Sequence, residues 1–224
     1  MNVHLLSPII YIFYTKSFLF FKPCPKSNLM IKMRTAHNII LCLLSLIMFV
    51  GILYSNYKTS KLNSIHNILC KSYNNDSFSL LNAHLFLYSK YLEWGDTLFL
   101  HLSGKQISML QYTHHMSTAF LVYLNTMDFM NSHYLIPMAL NCFVHFWMYL
   151  YFAFPKGILK YFRKQITQIQ IIQHIICIIT SIYINTLHNC HQNKYGNKCG
   201  LLLYLIYLFY FSVFYINVYF KKLK

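Results

Sequence analysis

Three of the chain's 12 histidines, His114, His115 and His145, sit among amide side chains inside long apolar stretches. That pairing of residue types suits nucleophilic and acid–base chemistry. Burial disfavours the charged imidazolium and leaves a neutral, nucleophilic ring, and amides can stabilise an oxygen that gains negative charge. Gln111, His114 and His115 fall in one run, Asn141 and His145 stand one helical turn apart, and Thr167, Gln170 and Gln173 recur at helical spacing. Lys90, Glu93 and Asp96 are spaced by three and so share a helical face. Ionisable groups in apolar spans are costly, and a cluster of them is by default a functional hypothesis. Each has a plainer reading: a single His or Gln in a membrane helix more often bonds a neighbouring helix, and Glu93 and Asp96 could simply pair with Lys90.

The elements that must position these residues are membrane helices. Of 224 residues, 57% are hydrophobic and only 10% charged, whereas soluble domains carry about 25% charged residues. A hydrocarbon core of about 30 Å needs roughly 20 apolar residues per helix. Candidate spans follow at 4–21, 37–56, 80–103, 107–125, 134–154, 165–186 and 200–220. They make an all-α, polytopic membrane protein of about seven transmembrane helices, a single domain over residues 1–224. The first span is interrupted by Lys16, and Phe21-Lys22-Pro23 is a poor cleavage site, so it reads as a membrane helix and not a signal sequence.

Lys and Arg total 19 against four acids, a formal net charge of +15. Such a balance often signals nucleic acid. Here the cations fall in breaks between apolar runs, the pattern of positive cytoplasmic loops, so the expected partner is membrane lipid and not nucleic acid. With a cytosolic C-terminus, loops 22–36, 104–106 and 155–164 and the tail hold twelve Lys and Arg, the opposite loops five. The positive-inside rule therefore favours a lumenal N-terminus. Lys221-Lys222-Leu223-Lys224 fits the dilysine pattern that retrieves membrane proteins to the endoplasmic reticulum, and the sequon Asn75-Asp76-Ser77 falls in a loop that this topology makes lumenal. The seven Cys occur singly, with no CxxC. Most read as small buried hydrophobes, while Cys190 and Cys199 flank one loop and could pair if it is lumenal.

Helical rise of about 1.5 Å per residue gives the depth of the polar groups. His114 lies roughly 10 Å and His145 roughly 14 Å inside the cytosolic ends of their spans, with Glu93, Asp96, Gln170 and Gln173 between about 7 and 15 Å. Four helices thus place polar groups in one layer, which reads as a single site nearer the cytosol.

At these residues a family becomes recognisable. The run Ser89-Lys90-Tyr91-Leu92-Glu93-Trp94-Gly95-Asp96-Thr97 resembles the SKxxExxDT motif of the ELO family of fatty-acid elongases. Gln111-Tyr112-Thr113-His114-His115 is similar to the QxxHH form of its histidine box, and Asn141-Cys142-Phe143-Val144-His145 with Met148-Tyr149 to its NxxxHxxMY. Ile166-Thr167, Gln170 and Gln173 resemble its ITxxQxxQ, and His37-Asn38 opens the second span as the family's HN does. The motifs run in family order over roughly residues 30–224. Ser103 stands where the family usually has a basic residue, and His174 where it generally has an aromatic or apolar one.

The resemblance implies an acyltransferase that condenses acyl-CoA with malonyl-CoA to 3-oxoacyl-CoA, CoA and CO2, the first step of elongation in the endoplasmic reticulum, with neither cofactor nor metal. It implies His114 as the residue acylated, with His115 and His145 as base or oxyanion partners and Asn141 orienting His145. Gln111, Gln170 and Gln173 would bond thioester or enolate oxygens, and Glu93 and Asp96 would set His tautomers or fix the site against Lys90. Lys105, Lys156, Lys160, Arg163 and Lys164 would meet CoA phosphates at the cytosolic mouth, although positive-inside loops need no ligand. The implied fold has six helices enclosing an acyl-chain tunnel, and the implied partners are the 3-ketoacyl reductase, dehydratase and enoyl reductase of the cycle. Two other classes compete. An iron-dependent desaturase or hydroxylase needs a larger set of ligating His than the three that cluster here. A non-catalytic seven-helix receptor or transporter commonly has helices broken at Gly and Pro, of which this chain has 6 and 5.

Overall fold

The computed structural model describes residues 3–25, 27–59, 69–70, 77–126, 132–187 and 193–220. Its helices are α1 (Ser7–Lys16), flanked by 3-10 turns Val3–Leu6 and Ser17–Phe20, then α2 (Asn28–Thr59), α3 (Ser77–Leu92), α4 (Trp94–Leu102), α5 (Met109–Thr126) and α6 (Ser132–Ala153). A 3-10 turn, Ile158–Phe162, leads into α7 (Arg163–Thr186), and α8 (Lys194–Tyr219) follows. In hydrocarbon the helix is the favoured form of such runs because it satisfies its own backbone groups. Five stretches are long and apolar enough to cross a membrane: Val3–Phe20, Asn28–Ser55, Tyr134–Ala153, Ile158–Thr186 and Lys194–Tyr219. The two remaining segments, 77–102 and 109–126, are the ones that carry Lys90, Glu93 and Asp96, and Gln111, His114 and His115.

The chain is an all-α polytopic membrane protein, and its surface agrees. Leu43, Ile47 and Val50 on α2, Ile172, Ile179 and Ile182 on α7, and Leu202, Leu205 and Phe209 on α8 face outwards, while Lys90, Glu93, His115, His145 and Gln173 are buried. An apolar outside around a polar inside inverts the soluble pattern.

Several boundaries differ from the sequence expectation; the last helix, for example, starts at Lys194 and not at 200. The second helix starts at Asn28 and not at 37, so Lys32 and Arg34 ride on a helix instead of a loop. The span expected at 80–103 divides at Glu93. There the Glu93 N–H still reaches the Ser89 carbonyl at 2.9 Å, whereas Asp96 reaches back only three residues, to Glu93 at 3.0 Å. One tightened turn thus separates α3 from α4. The sequon at Asn75, the dilysine tail and Cys190 lie outside the described residues; Cys199 is a free thiol, so it is not paired with Cys190.

Six helical segments close a ring in the order α2, α6, α7, α8, α5, α3 and back to α2, with α1 packed outside it against α5 and α4. Tyr11 of α1 is anchored there by a 2.8 Å hydrogen bond to Thr97 and an edge-on contact with Trp94. Two apolar clusters fill one half of the ring. Met48, Ile52, Phe86, Leu87, Leu135 and Met138 form one, and Leu121, Cys177, Tyr204 and Tyr207 the other. Within a membrane such packing stabilises through van der Waals contact more than through the hydrophobic effect. The other half is hollow.

Candidate active site

The hollow half is a cavity of about 540 Å³ whose lining brings together side chains from α2, α4, α5, α6, α7 and α8. It is lined no deeper than His114, Asn141 and His174, beneath which the Tyr204 and Tyr207 cluster closes it. The tunnel expected from the resemblance is therefore, in this structure, a cavity confined to one half of the bundle. His114, His115, His145, Gln111, Asn141, Gln170, Gln173 and Asp96 all line it, from four helical segments. Lys90 and Glu93, expected in the same cluster, do not line it.

Four side chains form a closed ring, Asn141 and His145 in the lining and Lys90 and Glu93 behind it. Lys90 Nζ, on α3, donates to Glu93 Oε1 at 2.7 Å and to Asn141 Oδ1 at 2.7 Å. The Asn141 amide nitrogen lies 3.1 Å from His145 Nε2, and His145 Nδ1 lies 3.2 Å from Glu93 Oε1. Because the amide nitrogen can only donate, Nε2 is the accepting nitrogen and the proton of neutral His145 sits on Nδ1, facing the carboxylate. Asn141 thus contacts one ring nitrogen of His145 and Glu93 the other, while Glu93 also pairs with Lys90.

Asp96 is satisfied separately. It pairs with His37 Nε2 at 2.9 Å and accepts the Tyr149 hydroxyl at 2.7 Å. His114 packs edge-on against His115 with ring centroids 5.4 Å apart and lies against Tyr207 at 5.0 Å. The Ser117 hydroxyl is spent on the Thr113 carbonyl, so the Tyr207 hydroxyl donates to Ser117 at 2.6 Å. Trp94 Nε1 donates to the His115 carbonyl at 3.0 Å, which ties α4 to the histidine box. Among the described residues no group of three His, Cys, Asp or Glu side chains is arranged to hold a metal ion.

At the mouth, Lys105 and Arg163 line the cavity. Lys105 is placed by a backbone device: Gly104 adopts φ 68°, its N–H bonds His101 and that of Lys105 bonds Leu100, which is a glycine-terminated Schellman ending of α4. Lys156, Lys160 and Lys164 do not line the cavity. Lys160 lies over Tyr161 and Lys164 over Tyr215 and Phe220. The cation at the mouth that the loops did not suggest is Arg34.

The sequence profile of the GNS1/SUR4 family, abbreviated ELO, matches residues 3–224. The chain belongs to the ELO family. Among similar proteins, fatty acid elongase A of Dictyostelium discoideum is 37% identical over 141 residues, covering 62% of this chain and 51% of that protein. A putative fatty acid elongase of the same organism is 31% identical over 201 residues, covering 83% of this chain and 65% of its own length. Fatty acid elongase 2 of Trypanosoma cruzi is 29% identical over 153 residues, 62% of this chain and 54% of that protein. The chain thus spans about half to two thirds of the relatives it matches.

Site residues that sequence reasoning left outside the candidate set are Arg34, Asn38, Tyr149 and His174, which line the cavity, and His37, which pairs with Asp96. His37, Asn38 and Tyr149 stood inside ELO-like motifs, and that was the available signal. His174 is buried with its Nδ1 unpartnered and lies tilted against Tyr207 and Phe211.

Proposed function

We propose that this ELO-family chain condenses a long-chain acyl-CoA with malonyl-CoA to 3-oxoacyl-CoA, CoA and CO2, the first step of fatty-acid elongation at the endoplasmic reticulum. The observation that carries this reading is the convergence of three imidazoles and the amides of Asn141, Gln170 and Gln173 on one cavity beneath a basic mouth. The His114 imidazole, open to the cavity, attacks the acyl thioester carbon; the C–S bond breaks and CoA leaves as a thiolate that takes up a proton. Loss of CO2 from malonyl-CoA then leaves an electron pair on its α-carbon as an enolate. That carbon forms the new C–C bond to the acyl group as the acyl–imidazole bond breaks. Both substrates bring their own activated groups, so no resident cofactor is called for.

The surrounding side chains take distinct roles in this scheme. Gln170 and Gln173 offer N–H donors to thioester and enolate oxygens, each worth about 3 kcal/mol at comparable sites. Glu93, facing the Nδ1 proton of His145, stabilises positive charge that develops on that ring when it takes up a proton at Nε2. His115 serves as base or oxyanion partner beside His114. The mouth faces the cytosol, where CoA esters are supplied, and the disulfide-bonded state of Cys70 suits a lumenal opposite end. A 3-oxoacyl product further implies a reductase, a dehydratase and an enoyl reductase as partners.

Microsomes containing the chain test the reading directly. Given labelled malonyl-CoA and a panel of acyl-CoAs, with reductant withheld, they should accumulate labelled 3-oxoacyl-CoA for at least one acyl length. Correct insertion with no label in any product would refute it.

A further inference from the structure

We infer that Arg34, held by Ser103, is the principal phosphate anchor of the cavity mouth, a role that neither residue was given by the loop-lysine reading. The inference rests on the proposed condensation and names how its carrier thioester is held. Arg34 lies on the second helix, one turn before His37 and Asn38, and its side chain lines the cavity beside Ser103 and Lys105. Its Nη1 donates to Ser103 Oγ at 3.2 Å, and the Ser103 hydroxyl in turn donates to the Phe99 carbonyl at 2.6 Å. One of the five guanidinium donors is thereby used to fix the group's position, and four remain. The other cations lining the mouth, Lys105 and Arg163, are both exposed, whereas Arg34 is half-buried. Among the described residues none of the three is paired with a carboxylate, and Asp96, the acid lining the cavity, is engaged by His37 and Tyr149. A pre-positioned, planar guanidinium at the entrance of a cavity is the group best shaped to take a phosphate by two parallel hydrogen bonds, which flexible lysines on an exposed turn are not.

A carrier with phosphates is what such an anchor would select, so the test compares two thioesters of one acyl group: acyl-CoA and acyl-pantetheine, which lacks phosphates. Arg34→Ala should lower the preference for acyl-CoA over acyl-pantetheine, read as the ratio of their kcat/KM values, by about tenfold, the worth of a charge-assisted hydrogen bond or two. Arg34→Lys should recover part of the loss, Ser103→Ala should lose two- to threefold, an order-of-magnitude expectation for loosening one positioning contact, and Arg34→Ser with Ser103→Arg should restore the preference by moving the guanidinium to the neighbouring helix. Separately, CoA alone should raise the Tm of the purified wild-type protein in detergent and raise that of Arg34→Ala much less. An unchanged preference ratio together with an unchanged CoA shift in Arg34→Ala overturns the anchor, as does an equal loss with both thioesters, which marks a structural or lipid-headgroup contact. If wild type turns over neither thioester while CoA still stabilises it through Arg34, the condensation reading fails and the phosphate anchor stands.

Discussion

Lys90 and Glu93 are each 2% exposed and lie 2.7 Å apart, so the charge of either depends on the other. Removing one partner of such a pair strands the second in a medium that cannot solvate it, at a cost of about 3–5 kcal/mol. Lys90→Met should therefore lower the Tm of the detergent-purified protein sharply, and Lys90→Met with Glu93→Leu should lower it less than either change alone. Strictly additive losses would contradict a coupled pair. Tyr149→Phe removes the hydroxyl donated to Asp96 and should cost about 1.5–3 kcal/mol, the worth of a hydrogen bond to a charged group; loss of activity without loss of stability would instead place Tyr149 in the chemistry. Residue types and depth were legible in the sequence, azimuth was not. Arg163 and Lys164 are neighbours, yet the first lines the cavity and the second turns to Tyr215, because successive helical residues point about 100° apart. Arg34 escaped notice for a related reason: the loop expected at 22–36 is in part the first turns of α2.

At the scale of elements, the contact between α2 and α4 depends on Gly95. A Cβ there would stand 2.7 Å from His37 Cε1, so the imidazole could not keep its place. Gly95→Ala should break the His37–Asp96 pair and destabilise by about 1–3 kcal/mol, as overpacking does, and His37→Ala in the same chain should relieve part of that loss. Full wild-type stability of Gly95→Ala would show that α2 adjusts freely. A second expectation concerns the cavity floor, where Tyr207 is buried and tied to Ser117. Tyr207→Ala should deepen the cavity and shift the acyl-CoA preference in the labelled-malonyl assay towards longer chains; an unchanged length profile would mean that Tyr207 does not limit depth. Length and hydropathy mark five helices as able to cross a membrane, and 77–102 and 109–126 are not among them. The Glu93 break and the closed floor were not legible in the sequence, because both arise from contacts between helices that no single run of residues contains.

For the molecule as a whole, ring closure is what converts scattered polar residues into a site. The seven expected spans and their order correspond to the observed helices, but the order in which they pack, with α1 excluded, follows from side-chain fit. Orientation can be measured with a native group. Cys24 is exposed, and its N–H bonds the Leu102 carbonyl at the mouth end. A membrane-impermeant maleimide should label Cys24 in sealed, right-side-out microsomes, with Cys24→Ser as the control; labelling only after permeabilisation would turn the mouth towards the lumen. The condensation itself is decided by one comparison, formation of labelled 3-oxoacyl-CoA by matched membranes carrying wild type, His114→Ala or His145→Ala. Each substitution should lower the rate by about 10²-fold or more, the range for a positioned acid, base or nucleophile, with insertion and Lys156→Ala activity preserved. Rates within twofold of wild type for His114→Ala would contradict chemistry at this cavity.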